Sequence, residues 1–207
     1  MKNVVRERKM LLTSNKALEM LEEAERLNPG RWIEHSKKVG EAAKRIAEKM
    51  GLDSEKAKTL GYIHDIGKRF GEGTHHVIGG YKYLKECGYD DEYCNICLTH
   101  SYLNNDINCT AGGVPKTDSE GYEFRKEFVK NHEYTIYERI INLCDLMCTN
   151  EFMILEQRLI EIMTRRGVDT NTVYHITESL KLKKEIDELL KVNVYSLFPE
   201  IIENFIK

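Results

Sequence analysis

The chain has 207 residues, of which 41% are hydrophobic and 31% charged, and a net charge of −3 at pH 7. This composition excludes a disordered polymer and suits one domain with its own core and at most a short appendage. The balance of 31 basic against 34 acidic residues excludes a broad footprint for duplex nucleic acid, while leaving room for a local phosphate pocket. No apolar run approaches the roughly 20 residues that span a bilayer, so no membrane association is expected. The charged start, Met1 to Lys9, lacks the apolar middle of a signal peptide. The chain is therefore expected in the cytoplasm with its six cysteines reduced.

Few prolines and abundant Leu, Ile, Lys and Glu predict an all-α fold. In chain order, a first helix runs from about Asn15 to Leu27, capped by Thr13 or Ser14, and Asn28-Pro29-Gly30 breaks it. A second, over about 31–50, carries Trp32, Val39, Ala43, Ile46 and Met50 at helical spacing and stops at Gly51. His35 shares its inward face. A third, capped by Asp53 or Ser54, is expected to reach Ile66-Gly67 with Ala57, Leu60 and His64 inward. A loop from Lys68 to Thr74 leads to a helix from His75-His76 to about Glu86, and Asp90 caps another that reaches His100. Residues 103–134 read as a long connection, polar and turn-rich over 103–121. Thr135 with Glu138 forms a capping box for a helix through Cys148. Helices near 151–165 and 172–191 follow, and a short last one takes Ser196 as N-cap with Pro199 in its first turn.

The chemistry concentrates in Gly61-Tyr62-Ile63-His64-Asp65-Ile66-Gly67-Lys68. A His-Asp pair alone is a weak signal, equally suited to a helix end. His35 lies 29 residues before His64, however, and Asp145 lies 80 residues after Asp65, each on its own helix. Separate helices can thus aim imidazoles and carboxylates at one centre. That donor set suits a first-row ion such as Fe, Mn, Co, Ni or Zn better than Ca. Several ionisable groups turned inward need each other or a metal.

His35, His64-Asp65 and Asp145 resemble the H…HD…D signature of the HD-domain metal-dependent phosphohydrolase superfamily over roughly residues 30–150. His76 to Leu84 is similar to the H-x-x-x-G-x-x-x-L segment of many members, and His100 falls where a further His follows. The combined pattern resembles bacterial two-metal members, including those that cleave dinucleoside polyphosphates. The resemblance implies an HD-domain helical bundle with extra N- and C-terminal helices. Its parts are an N-terminal helix within 1–28, a metal-binding domain over 29–150 and a helical extension over 151–207. It further implies that His35, His64, Asp65 and Asp145 bind one divalent ion, and that His76 and His100 bind a second, with Asp65 bridging. Asp65 would be catalytic through the water its ions activate, and Lys68 would reach a phosphate as a point charge. Arg69 is a weaker candidate for that role.

Other features have plainer readings. His75 reads as an exposed neighbour of His76. Cys94-x-x-Cys97 lacks the four ligands of a structural zinc site and reads as buried thiols, like Cys144 and Cys148 around Asp145. Tyr62, Tyr102 and Tyr122 suit packing or base stacking. The charge run from Lys181 to Glu188 reads as a solvated helix face. Asn104, Asn105, Asp106, Gly112 and Gly113 place a polar loop where it would overhang the centre and shape substrate choice. The reading is a phosphohydrolase acting on a small phosphorylated substrate, a nucleotide foremost. An HD-type diiron oxygenase and a non-catalytic nucleotide sensor share the same ligand set. The apolar positions of 151–206 suit a homodimer interface as well as internal packing.

Overall fold

A computed structural model describes residues 10–71 and 75–206. The charged start at Met1 to Lys9 and the end of the expected loop at 72–74 lie outside the described residues. Among the described residues the fold is all-α, with isolated bridges but no strand. None of these helices is long and apolar enough to cross a membrane.

Helix α1, Ser14–Leu27, starts where the Thr13 hydroxyl accepts the Lys16 amide at 3.3 Å, and it buries Ala17, Met20, Leu21 and Ala24. Helix α2, Trp32–Met50, ends at Gly51, whose φ of 70° is the left-handed conformation that closes a helix. Helix α3, Ser54–Ile63, is capped by Asp53, which accepts the Lys56 amide at 3.0 Å. Helices α2 and α3 meet through glycines. A Cβ on Gly61 would stand 2.5 Å from the Gly40 Cα, so no larger residue permits this approach. That contact sets His64 beside His35.

The third helix stops at Ile63 rather than Ile66-Gly67, and Ile66–Phe70 forms a 3₁₀ helix where a loop was expected from Lys68. The break has a geometric reason. Adjacent side chains diverge by about 100° in a continuous α-helix, whereas Asp65, at φ −104° and ψ 11°, redirects the chain. His64 and Asp65 can then both turn inward. The 3₁₀ turn packs closely on helix α4, His75–Glu86, since a Cβ on Gly67 would lie 1.8 Å from the His76 carbonyl oxygen.

Helix α5, Asp91–Thr99, ends at His100. Helix α6, Tyr122–Asn131, replaces the second half of the expected connection. It buries only Arg125 and Val129 and begins at Gly121 without a side-chain cap, so it carries neither an apolar stripe nor a start signal. Helix α7, Ile136–Met147, begins with the expected capping box of Thr135 and Glu138. Helices α8, Leu155–Arg166, and α9, Thr172–Leu190, follow. Ser196 is not a cap: it lies in a 3₁₀ turn, Val194–Leu197, started by Asn193, and Pro199 precedes α10, Glu200–Ile206. Lys183 also departs from the expected solvated face. It is buried, pairs with Asp187 at 2.7 Å and covers the Tyr195 ring. A continuous apolar core runs from Leu12 to Ile201, so the C-terminal helices close over the same core as α1–α7.

Candidate metal centre

Asp65 stands at the middle of the site, nearly inaccessible to solvent. Its Oδ2 lies 3.5 Å from His64 Nε2 and 4.0 Å from His35 Nε2, while its Oδ1 lies 3.2 Å from His76 Nε2 and 3.5 Å from His100 Nε2. Asp145 closes the first side, its Oδ1 2.8 Å from His35 Nε2 and 3.7 Å from His64 Nε2. The donor atoms fall into two sets, His35–His64–Asp65 and Asp65–His76–His100, each spanning no more than 4.8 Å. All six expected ligands therefore converge, from α2, the α3 end, α4, the α5 end and α7.

Two tautomers are fixed by the backbone. A carbonyl only accepts, so the His64 Nδ1–H donates to Gly61 O at 2.7 Å and the His100 Nδ1–H donates to Ile96 O at 3.1 Å. In the neutral rings, both Nε2 lone pairs consequently face Asp65 oxygens. A lone pair against a carboxylate is repulsive unless a cation lies between them. His64 Nε2 is moreover buried without a hydrogen-bond partner. The residues present thus fit a divalent transition ion, with the backbone carbonyls orienting the imidazoles as outer-shell partners do.

Burial pushes the Asp65 carboxyl up, but the Lys68 ammonium and, in their protonated form, the imidazoles of His64, His100 and His76 hold it well below the usual carboxylate range in the metal-free protein. Burial opposes Asp145 as well, and His35 and His64 hold it well below that range.

Lys68 Nζ lies 2.5 Å from Asp65 Oδ2, at the rim of the centre. Arg69 does not join it: its guanidinium turns to Glu23 on α1 at 3.0 Å and covers the Tyr83 ring. His75 is exposed near Glu120. The Cys94 and Cys97 thiols are buried and donate to the Tyr89 and Ile63 carbonyls. Tyr62 packs against Gly40 and bonds to Glu41, and Tyr102 packs with Ile107, Val129 and Tyr122.

Sequence reasoning missed Asn142, one helical turn before Asp145 on α7. Its amide donates to the carbonyls of Thr99 at 3.0 Å and His100 at 2.7 Å. It ties the end of α5, which carries His100, to the helix that carries Asp145. The i, i+3 spacing was legible, but an Asn in a helix gives no sign of its partner. Arg166 and His175 were missed too. They line a cavity of about 440 Å³ with Thr110 to Gly113 of the long connection.

An all-α bundle that gathers His and Asp from separate helices around a shared aspartate is a helical scaffold whose donor atoms could hold a metal ion. The HD domain family model matches residues 32–150, more than half of the chain, and the chain belongs to that family. Ribonuclease Y of Fervidobacterium nodosum is 36% identical over 90 residues, which cover 42% of this chain and 17% of that enzyme. Ribonuclease Y of Thermosipho melanesiensis is 39% identical over 71 residues, covering 33% of this chain and 14% of the enzyme. The matched region is thus a small part of those relatives. Among solved structures, the HD domain of the L. monocytogenes phosphodiesterase PgpH aligns with a TM-score of 0.49 at 17% identity, covering 90% of this chain and 98% of the other.

Proposed function

We propose that this protein is a metal-dependent phosphohydrolase that cleaves a phosphoester or phosphoanhydride bond of a nucleotide. The observation that carries this reading is the placement of Asp65, with a histidine pair against each carboxylate oxygen. Such a carboxylate can serve two cations at once, from the Fe, Mn, Co, Ni and Zn group that imidazole and carboxylate donors prefer. His35, His64, Asp65 and Asp145 would hold one ion, and Asp65, His76 and His100 the other. Bound there, divalent ions supply charge against phosphoryl oxygens and a water acidified enough to act at neutral pH.

The chain's own residues do the rest. The Gly61 and Ile96 carbonyls keep His64 and His100 in the ligating tautomer. Asp145 holds His35 in place. Lys68, whose ammonium rests on Asp65 at the rim of the site, would reach a substrate phosphate bound there. No Ser or Cys nucleophile is required. A phosphodiester or a nucleotide is supported by the ribonuclease Y relatives.

The test is phosphate or phosphoester release by protein loaded with Mn under argon, across generic esters and a nucleotide panel. Turnover that disappears in Asp65→Ala supports the reading. Loaded protein that hydrolyses nothing sinks it, and substrate-dependent O₂ uptake by iron-loaded protein would assign an oxygenase instead. Saturable nucleotide binding without turnover would assign a sensor.

A further inference from the structure

The cavity between Thr110–Gly113 and helices α8 and α9 has features that the metal centre does not use. Its α8–α9 wall lies outside residues 32–150, the part the family model matches. Arg166 lines the cavity, whereas Arg158 and Arg165 of the same helix lie outside its lining and both pair with Glu161. Arg166 Nη1 instead donates to the Ala111 carbonyl at 2.7 Å, and it has no carboxylate within ion-pair distance among the described residues. His175 is only 5% exposed, and its ring has no hydrogen-bond partner among the described residues. Its ring nitrogens are not sealed from solvent, so a ligand in the cavity can reach them.

Helices α8 and α9, which carry Arg166 and His175, both pack on α7, the helix that carries Asp145. The loop supports this arrangement. Gly113 has a φ of 85°, a conformation that favours glycine, and a Cβ on Gly112 would sit 3.3 Å from the Thr110 hydroxyl. The cavity's carboxylate, Asp169, is already engaged, its Oδ1 accepting from the Asn171 amide and the Thr172 hydroxyl.

We propose that this cavity is a substrate subsite, in which Arg166 binds a non-scissile phosphate of a nucleoside polyphosphate and His175 hydrogen-bonds the same ligand. The inference rests on the phosphohydrolase reading above and adds what the C-terminal helices contribute to it. Arg supplies a planar fork of donors that matches phosphate oxygens. Beside a centre that would hold the scissile group, it distinguishes a polyphosphate from a simple ester.

The experiment compares Mn-loaded wild type with Arg166→Met, Arg166→Lys and His175→Gln. One readout is calorimetric binding of a non-hydrolysable ATP analogue. The other is steady-state kinetics on ATP and on bis(4-nitrophenyl) phosphate, whose only phosphate is the scissile one. Arg166→Met is expected to weaken analogue binding and raise KM for ATP by about 10–100-fold, the loss of a charge-assisted contact. Its kinetics on the simple diester should stay within about twofold, Arg166→Lys should fall between, and His175→Gln should shift analogue binding by a smaller factor. Metal content and melting temperature check that each variant folds. The subsite is overturned if wild type does not bind the analogue, if Arg166→Met leaves binding unchanged, or if both substrates suffer equally. Arg166-dependent binding without hydrolysis of any ester would keep the subsite and reject the phosphohydrolase reading. Diester hydrolysis with Arg166-independent binding would do the reverse.

Discussion

Lys68 Nζ donates to Asp65 Oδ2 across 2.5 Å, placing an ammonium on the carboxylate that both histidine sets share. Three residues separate them, and the 3₁₀ turn that starts after Asp65 brings them together. A charge-assisted contact of this kind contributes roughly 1.5–3 kcal/mol. Redirected to a phosphate in the transition state, it is worth about 10–100-fold in rate. Lys68→Met is expected to lower kcat by that factor with the metal content unchanged, as read by steady-state kinetics and plasma mass spectrometry on one preparation. If the metal is lost along with activity, Lys68 organises the ligands and does not meet substrate.

Asp65 and His76 separate the two ion positions. Asp65→Asn keeps the shape of the side chain but removes the charge common to both sets, so neither cation is expected to survive dialysis. His76→Ala removes a donor from one set only. Plasma mass spectrometry should therefore find close to two ions per wild-type chain, close to one in His76→Ala and almost none in Asp65→Asn, with the helical circular dichroism retained. Equal retention in wild type and Asp65→Asn would refute the shared carboxylate.

Asn142 predicts a different failure. Its amide bonds hold the last carbonyls of the α5 region against α7. Removing them in Asn142→Ala takes the partner from the His100 carbonyl, while the Thr99 carbonyl keeps the Tyr102 amide, at a cost of about 1–3 kcal/mol. His100 then loses its fixed distance from Asp65. The urea midpoint should fall, and affinity for the second ion should drop by roughly 10–100-fold, as for other outer-shell partners. A metal titration that matches wild type, with only the midpoint lowered, would reduce Asn142 to a packing role.

The six converging His and Asp side chains were legible in the sequence because they sit in short, ordered motifs whose donor types are restricted by the chemistry. The helices with strong caps and apolar stripes were legible for similar reasons, Thr135 with Glu138 being the clearest. What was not legible depended on partners distant in sequence. The tyrosine-led helix Tyr122–Asn131 buries an arginine and a valine, and its stability comes from what covers it rather than from its own pattern. Arg69, the weaker candidate for phosphate, is instead held by Glu23, 46 residues away in sequence. The termination of α3 before His64 follows from a local turn that puts adjacent ligands on one side, which a periodic helix cannot do. His175 and Arg166 belong to a segment with no recognisable motif, and only the fold brings them together against Thr110 to Gly113.

His175 also predicts how stability depends on pH. Burial lowers its imidazole to about 4, with Arg166 acting in the same direction and Asp145 and Asp169 opposing. The folded state therefore keeps the ring neutral, whereas the unfolded chain protonates it near 6.5. Its contribution is present above about pH 6.5 and is lost as pH falls through the window down to about 4. Between pH 7 and pH 5 the loss amounts to about 2 kcal/mol. Asp65 and Asp145 act lower: their depressed values contribute stability above the unfolded carboxylate range, near pH 4, and lose it only below that. Urea unfolding of metal-free wild type and His175→Gln at pH 7 and pH 5 isolates the contribution, because every other group is common to the two proteins. The variant should lose about 2 kcal/mol less than wild type over that interval. Equal losses would mean that the His175 ring accepts a proton in the folded protein as readily as in the unfolded chain.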